Sequence, residues 1–454
     1  MGAEVKTSTK KQFMGAGLIN FGQMIVGHTI GWIAPVQTRL QTAEETPLDR
    51  VITDTEASWM LFITYAGIIG GPFISGYLCN VIGRKPCLYF GGSMLFLSYS
   101  LMALGKSLVL IFIARSLAGV GIGVLFVTNL VFIAELASTK NRGTLLTMTG
   151  LSTTQGILTV YSVGKTFSFS IINGMVVFLC AEYIAFIYFL VPESPIYQAM
   201  KGKEEEATAT LTALGRQAEV DEIVAKAKNK PKPKITQLTE LYTDQSNRKA
   251  VFLIIILNIL TQFSGVIVVL VFVSYVIEMT GSEIEAHLSS RTIGITQFLV
   301  SIIVPLFVYK IGRKILLLTS CAVCSLSLFS LGTYFYLYNN NYPIAENLKW
   351  LAVASIMVFC VAYYSGMGFI PNTFVGEMFT DTCRSFGVTF TVTFSWLFGF
   401  GVATVFGYVL SAWGSTVVFW MFSGICAFAF VFTVVFVPEI KGKSLSEIRE
   451  LLCK

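Results

Sequence analysis

Long apolar stretches recur along the whole sequence and constrain its fold more than any other feature. A helix needs about 20 mostly apolar residues to cross a bilayer, and twelve stretches meet this requirement. They lie near residues 13–36, 57–82, 87–105, 108–136, 143–164, 169–191, 250–279, 289–311, 315–338, 348–376, 385–410 and 413–437. Of the 454 residues, only 13% are charged, whereas soluble domains have about 25%. The sequence therefore predicts an all-α membrane protein with twelve transmembrane helices.

A polar, partly helical segment divides these stretches into six and six. Residues 192–249 contain charged runs such as "MKGKEEEATATLTALG", and a short polar tail follows the last stretch. We therefore expect two six-helix bundles with a small cytoplasmic helical cap. The predicted parts are an N-terminal bundle (1–191), a linker with short helices (192–249), a C-terminal bundle (250–437) and a cytoplasmic tail (438–454).

The two sets of six also share motifs in the same order. "GRK" follows the second stretch at 83–85 and the eighth at 312–314. Glutamate and arginine recur at equal separation after the fourth and tenth stretches, and Pro-Glu recurs after the sixth and twelfth. The pattern indicates duplication. Parallel six-helix halves with a solute path between them are the architecture of alternating-access transporters.

Positive charges indicate the orientation. With an even number of helices both termini lie on one side, and cations such as Lys10, Arg84 and Arg313 fall on that side. The opposite loops hold several acids, among them Glu44 and Asp49. Because Lys and Arg are retained in the cytoplasm, we expect both termini to be cytoplasmic. The net charge of +6 reflects this bias and does not suggest nucleic-acid binding.

Enzymatic and metal-binding functions find no support in the sequence. It shows no nucleotide-binding loop, no metal-binding cluster and no nucleophile–base pair, and we expect no cofactor. The nine cysteines lie in apolar stretches or on the cytoplasmic side, so no disulfide framework is expected. Cys321 and Cys324 have metal-like spacing, but they lie in an apolar stretch without a second pair, which favours packing.

The motifs together resemble the sugar porter family of the major facilitator superfamily, which includes glucose-type facilitators and insect trehalose-type transporters. The resemblance covers essentially the whole chain. It is carried by both "GRK" motifs, "RSLAGVGIG" at 115–123, "PESP" at 192–195, Gln262 with "SG" at 264–265, and "PEIKGKSLSEI" at 438–448. It implies the major facilitator fold and movement of a sugar across the membrane.

Opposite charges at the cytoplasmic helix ends form a predicted gate network. Such pairs can latch the two halves together, and each exposed pair contributes about 0–1 kcal/mol, which suits a gate that must reopen. The alternative is that these charges are solvated and serve membrane topology alone. The residues are Arg84, Glu135, Arg142, Glu193, Arg313, Glu377, Arg384 and Glu439.

The resemblance also implies a set of solute-binding residues. In sugar porters, amides on the seventh helix hydrogen-bond sugar hydroxyls, and neighbouring helices add further polar and aromatic groups. The corresponding positions here are Thr261, Gln262, Gln297, Asn372 and Trp396. Helix–helix hydrogen bonding is the alternative role for the two glutamines, and plain packing is the alternative for Asn372 and Trp396.

Several positions depart from the family pattern. Gly150 stands where the fifth helix normally supplies a glutamine, Ile267 stands where the seventh has an asparagine, and Phe369 stands where the tenth has a proline. Each missing polar partner costs about 1–3 kcal/mol of recognition. We therefore expect hexose recognition to be weakened or redirected.

Two titratable groups are candidates for proton coupling. Glu182 lies ten residues before Pro192, about 15 Å from the helix end, and acids at such depth are functional candidates. His28 lies within the first stretch, and histidine is a natural proton switch. Proton-coupled sugar porters usually carry an acid on the first helix, which His28-Thr29 lacks. Glu182 has the alternative of being neutral and hydrogen-bonded.

The expected function is facilitated diffusion of a small neutral solute, a sugar such as a hexose or trehalose, across the plasma membrane. The alternatives are a proton-coupled sugar symporter, a transporter of a non-sugar solute and a non-transporting sugar sensor. The expected partners are the solute and the lipid bilayer, and the protein is expected to be monomeric.

Overall fold

A computed structural model describes residues 2–44, 46–138, 140–164, 166–228, 242–269, 286–379 and 384–440, with isolated positions in the tail. Every regular element in these residues is a helix. The first half comprises α1 (Gly2–Gly31), α2 (Ile33–Leu40), α3 (Asp54–Val81), α4 (Arg84–Leu104), α5 (Leu108–Leu136), α6 (Arg142–Val163) and α7 (Phe169–Leu190).

The second half contains longer and more interrupted helices. It comprises α11 (Gln245–Thr261), which continues through a π-helical turn (Gln262–Val266), α12 (Ala286–Ile311), α13 (Arg313–Asn339), α14 (Ile344–Asn347), α15 (Lys349–Ser365), α16 (Ile370–Glu377) and α17 (Arg384–Phe436). The chain reverses within α17 at Gly414, whose φ of 75° lies in the left-handed region that glycine adopts readily. α17 therefore makes two membrane crossings. α15 and α16 form one interrupted crossing. The described helices make twelve crossings, and the predicted all-α fold with twelve transmembrane helices is confirmed.

Polar residues on some crossings explain why apolar composition alone does not identify every one. By length and composition alone, eight of the described helices suit a membrane, with α17 counted once. α6 is not among them, and its sequence "RGTLLTMTGLSTTQGILTVYSV" carries six threonines. Three of them face the cavity described below.

Three short helices form a cap between the halves in sequence: α8 (Pro195–Met200), α9 (Glu204–Ala213) and α10 (Val220–Lys228). The cap is tied to the first half, since Gln12 donates its side-chain amide to the Leu214 carbonyl at 2.8 Å. Arg216 donates to the backbone carbonyl of Glu135 at 2.5 Å. The predicted domain boundaries stay a prediction.

Glycines let the helices of the first half approach closely. A Cβ at Gly119 on α5 would lie 2.2 Å from the Thr64 carbonyl on α3, and one at Gly156 on α6 would lie 2.0 Å from the Met24 carbonyl on α1. Small residues at membrane helix crossings permit this backbone contact. The first half is therefore a tightly packed unit.

The two halves meet mainly along two helix pairs, α6 with α12 and α3 with α17. Thr154 and Ser301 hydroxyls lie 2.6 Å apart across the first pair. Across the second, Thr389 donates to the Pro72 carbonyl at 3.2 Å. A cavity remains between these lines of contact.

Candidate solute-binding site

A cavity of about 400 Å³ lies between the two halves. Its lining comes mainly from α3, α5 and α6 of the first half and from α11, α15–α16 and α17 of the second. Its volume falls within the usual range for small-molecule sites, about 300–1,000 Å³. A site shared by both halves can be reached alternately from either side.

The second half supplies amides from α11. Asn258, Thr261 and Gln262 occur at positions i, i+3 and i+4 and therefore share one helix face, which lines the cavity. The π-helical turn directly follows, and Gly265 within it has φ 89°, a left-handed conformation that favours glycine. Such turns reorient side chains at functional sites.

Two buried side-chain atoms on α11 and its π-helical turn have no hydrogen-bond partner among the described residues. Gln262 donates from Nε2 to the Ser395 hydroxyl at 2.9 Å, whereas its Oε1 has no partner among the described residues. The Asn258 amide nitrogen is likewise buried without a described partner. Buried polar groups usually have partners, so the Gln262 oxygen and the Asn258 nitrogen are candidates to bind a polar solute.

The first half supplies hydroxyl groups from α6. Thr149, Thr153 and Thr154 line the cavity, and the Thr149 hydroxyl lacks a partner among the described residues. Thr153 accepts from Gln23 at 3.1 Å, and Gln23 accepts from Asn129 at 3.1 Å. These hydrogen bonds hold the Thr153 side chain in place. The cavity surface that α6 contributes is therefore polar.

Aromatic rings form much of the remaining wall. Trp396 contacts Phe126 edge to face at 5.8 Å between centroids and Tyr65 at 6.2 Å. Tyr364 meets the ring of Phe369 at 5.7 Å. Flat apolar rings beside amides and hydroxyls suit a solute with an apolar ring face and polar edges.

Phe369 occupies the space in front of Gly150. It closes the turn at residues 366–369 between α15 and α16, and an added Cβ at Gly150 would lie 2.1 Å from its Cε1. The two departures from the family pattern are therefore in contact. An apolar ring lies where a polar side chain from position 150 would otherwise project.

Four of the five predicted solute-binding residues lie together. Thr261, Gln262, Asn372 and Trp396 all line the cavity. Gln297 does not: it is fully buried on α12 and lies beside Cys360. The roles assigned to these residues stay proposals, and the structure does not bring Gln297 to the other four.

The two candidates for proton coupling lie outside the cavity lining. His28 is buried on α1 beside Tyr99, 6.2 Å between ring centroids, and neither ring nitrogen has a partner among the described residues. Glu182 is half-buried on α7. Neither is placed to contact a solute directly.

Sequence reasoning missed Asn258, the α6 threonines and Arg115. Asn258 precedes Gln262 by one helical turn, a spacing that predicts a shared face. Arg115 lines the cavity, and an arginine inside an apolar stretch is itself a functional signal.

Much of the predicted gate network lies at one end of the bundle. We call it the motif-bearing end, because both "GRK" motifs, at 83–85 and 312–314, lie there. Arg84 and Glu135 form an ion pair at 2.7 Å, and both side chains are almost wholly buried. Ser194 donates to the other Glu135 oxygen at 2.5 Å. These contacts join α4, α5 and the segment after α7, so this pair lies within the first half instead of latching the halves together.

Glu193 caps the N-terminus of α4. Its carboxylate accepts from the backbone N–H groups of Arg84 at 3.0 Å, Lys85 at 3.2 Å and Ser194 at 2.8 Å. An acid at a helix N-terminus satisfies free donors and complements the helix dipole. Burial raises the pKa of the Glu193 carboxyl, and the three backbone donors oppose that shift.

The second half repeats this cap. Glu439 accepts from the Lys314 backbone N–H at 3.3 Å, as Glu193 does from Lys85. The Lys314 ammonium donates to the Val434 carbonyl at 3.0 Å, and that of Lys85 donates to the Tyr188 carbonyl at 2.9 Å. The duplication seen in the motifs therefore extends to their contacts.

Arg313 crosses between the halves at the motif-bearing end. A Cβ at Gly143, at the start of α6, would overlap its guanidinium. Arg142 is buried beside Gly143 in sequence and has contacts of its own. The side chains of Glu377 and Arg384 lie outside the described residues.

No group of three or more His, Cys, Asp or Glu side chains in the described ranges is placed to hold a metal ion. The expected absence of a cofactor stays a prediction.

The sequence is similar to known membrane transporters. The profile of the family described as "Sugar (and other) transporter" matches residues 16–452. The facilitated trehalose transporter Tret1 of Culex quinquefasciatus is 27% identical, over 99% of this chain and 87% of its own length. Tret1 of Anopheles gambiae is 28% identical over 96% of this chain, which spans only 55% of that relative.

Solved structures show the same fold. The Escherichia coli proton:xylose symporter XylE, bound to 6-bromo-6-deoxy-D-glucose, superposes with a TM-score of 0.83. It is 22% identical, and the match covers 98% of this chain and 100% of that one.

Proposed function

Since the chain belongs to the sugar (and other) transporter family, we propose that it moves a small neutral sugar across a membrane by facilitated diffusion. The supporting observation is the set of buried polar atoms without described partners on Thr149, Asn258 and Gln262. They belong to both halves and to residues that line one cavity. A sugar hydroxyl donates and accepts, so it can pair with the Gln262 oxygen, the Asn258 nitrogen or the Thr149 hydroxyl.

We propose a hexose or trehalose as the solute. The aromatic wall around Trp396 offers an apolar surface for a sugar ring face, and the amides and hydroxyls face its edges. The resemblance to insect relatives named as trehalose transporters favours trehalose among disaccharides.

Uncoupled transport is supported by the make-up of the cavity. Among the described residues, its lining consists of amides, hydroxyls, aromatic and aliphatic groups, a thioether and one guanidinium. None of these changes charge near neutral pH. The solute gradient alone then drives net movement.

Alternating access is supported by the contacts at the motif-bearing end. Gly76 packs against the Thr389 side chain, and Arg313 packs against Gly143, which brings the halves together there. Opening towards that end must separate these contacts and close the other end.

We propose that the motif-bearing end is cytoplasmic and that the protein acts as a monomer in the plasma membrane. Both terminal segments approach this end: Gln12 accepts from the Ser138 N–H, and Glu439 accepts from the Lys314 N–H. Arg84 and Arg313 lie there as well, in agreement with retention of cations in the cytoplasm.

Uptake of labelled glucose and trehalose into proteoliposomes tests the proposal. We expect saturable uptake that a pH gradient does not change. Gln262→Ala and Asn258→Ala should each raise KM about fivefold, the effect of one hydrogen bond of about 1 kcal/mol. Gln155→Ala is the matched control, because Gln155 is exposed on α6 and outside the lining. Well-folded protein without uptake of either sugar would contradict the proposal.

A further inference from the structure

Three buried amides lie beside the cavity, on the side of the motif-bearing end. They are Asn20 and Gln23 on α1 and Asn129 on α5, here called the amide cluster. All three side chains are almost wholly buried, and none of them lines the cavity. A buried amide is costly unless it is paired, and polar side chains at such depth in membrane helices mark solute paths.

The cluster continues the cavity-facing sides of α1 and α5. Ile30 on α1 and Phe126 on α5 line the cavity. Gln23 precedes Ile30 by seven residues and Asn129 follows Phe126 by three, so each amide shares a helix face with a lining residue. Asn20 lies a further turn along α1. Because α1 begins and α5 ends at the motif-bearing end, the amides lie between the cavity and that end.

Only part of the cluster's hydrogen-bonding capacity is used within the described ranges. Gln23 accepts from the Asn129 nitrogen at 3.1 Å and donates to the Thr153 hydroxyl at 3.1 Å. The Asn129 oxygen and both amide atoms of Asn20 have no partner in those ranges, and neither has the Thr149 hydroxyl on the cavity wall. Polar groups therefore extend from the cavity wall to Asn20.

Asn173 shows how a structural amide is paired in the same half. It is buried on α7. Its oxygen accepts from Trp32 Nε1 at 2.9 Å, and its nitrogen donates to the Phe169 carbonyl at 2.9 Å. Both atoms are satisfied, as expected of an amide that joins membrane helices. Asn20 is as deeply buried and pairs neither atom with the described part of the chain, so helix packing does not account for it.

From this placement we propose that the amide cluster is a second binding station for the transported sugar, occupied as the solute leaves the cavity towards the motif-bearing end. Sugar hydroxyls both donate and accept, so they pair with the free atoms of Asn20 and Asn129. Opening of that end separates the solute from α11, and the amides of the first half then replace the lost partners. The inference rests on the proposed transport of a sugar and adds a site to its path.

Asn20→Leu removes the amide at nearly constant size and tests the station by sided transport. Transport of labelled glucose and trehalose by cells that express the full chain is measured in both directions. The half-saturation concentration should rise about fivefold for the direction that starts at the motif-bearing end, the effect of one hydrogen bond. It should change less than twofold for the other direction. Gln262→Ala, in the cavity, should raise both.

The Tm separates a binding role from a structural one. Replacing an unpaired buried polar group by an apolar group of similar shape leaves stability unchanged or raises it, so Asn20→Leu should not lower the Tm. Asn173→Leu is the matched control. It leaves the Trp32 N–H without its partner and should lower the Tm.

Thiol labelling locates the sugar directly. The purified Asn20→Cys protein is treated with a maleimide at increasing glucose concentrations, and the unmodified protein gives the background, since its described cysteines are buried. Glucose should slow the labelling at the same half-effective concentration with and without Gln262→Ala. A fivefold shift in the Gln262→Ala background would assign the protection to the cavity and overturn the proposal.

The remaining outcomes separate this inference from the proposed function. A Tm lowered by Asn20→Leu would make Asn20 structural, and ordered water alone at the cluster predicts no change of half-saturation in either direction. Either result, with saturable sugar transport, would leave the proposed function intact and refute the station alone. Protection of Asn20→Cys by glucose in a protein that transports no sugar would do the reverse.

Discussion

The contact between Gly150 and Phe369 allows a quantitative test of what shapes the cavity. A Cβ at position 150 would lie 2.1 Å from the Phe369 ring, and ordinary contact begins near 3.4 Å. The ring must therefore retreat by about 1.3 Å. Overpacking of this kind costs about 1–3 kcal/mol. The gain of about 0.5–1 kcal/mol from replacing a helical glycine does not offset it.

Gly150→Gln alone should therefore lower both the Tm and glucose uptake, although it adds an amide to the cavity wall. Combined with Phe369→Ala, the same glutamine gains room to face the solute. One additional hydrogen bond of about 1 kcal/mol then lowers the KM for glucose about fivefold relative to Phe369→Ala alone. The two substitutions are coupled, and a double-mutant cycle of initial uptake rates and Tm values measures that coupling.

Gly174→Gln is the matched control, since nothing lies within 4 Å of a Cβ added at Gly174 on α7. It should change neither uptake nor Tm appreciably. If the effects of Gly150→Gln and Phe369→Ala add to within about 0.5 kcal/mol, the ring does not restrict position 150 and the reasoning is refuted.

Three further outcomes are expected. Glu135→Gln leaves Arg84 buried without its counter-charge. The free energy of unfolding should fall by about 3–5 kcal/mol, which lowers Tm by several degrees. Glu206→Gln, in an exposed pair, is the control and should leave Tm unchanged. Gly265→Ala forces a side chain into a conformation with φ 89°, at a cost of about 1–2 kcal/mol, and should reduce folded yield and uptake, whereas Gly401→Ala, with open space around it, should not. Uptake at equal sugar concentrations should be the same with and without a pH gradient, and accumulation driven by the gradient would contradict uncoupled transport.

The fold was predictable because the bilayer leaves few alternatives. A chain in hydrocarbon must satisfy its backbone internally, so apolar stretches of spanning length become helices whatever their other residues are. The breaks within α11 and between α15 and α16 were less visible. "QFSGV" and "SGMGF" contain glycine, but glycine in a membrane helix also serves close packing, as Gly119 does.

The site was predictable only in part, for geometric reasons. Residues at positions 261 and 262 face the cavity, whereas Gln297 does not, because its direction depends on the rotation of α12 within the bundle. In the sequence, Gly150 and Phe369 are two separate departures from the family pattern. Only their contact in the structure shows that they belong together, with an aromatic ring in the place of a polar side chain. Charges at helix ends likewise identify candidates for pairing without identifying partners, so the sequence named Arg84 and Glu135 as gate candidates without predicting that they pair with each other inside the first half.

The strengths of the contacts now distinguish what stays together from what separates during transport. Within the first half, Arg84 and Glu135 form a buried ion pair whose disruption costs about 3–5 kcal/mol. Between the halves, the Thr154–Ser301 and Thr389–Pro72 contacts are neutral hydrogen bonds, each with a net contribution of about 0.5–1.5 kcal/mol. Movement that breaks the second kind and keeps the first is rigid-body movement of one half against the other. A solute held by both halves must then lose partners from one of them as the cavity opens.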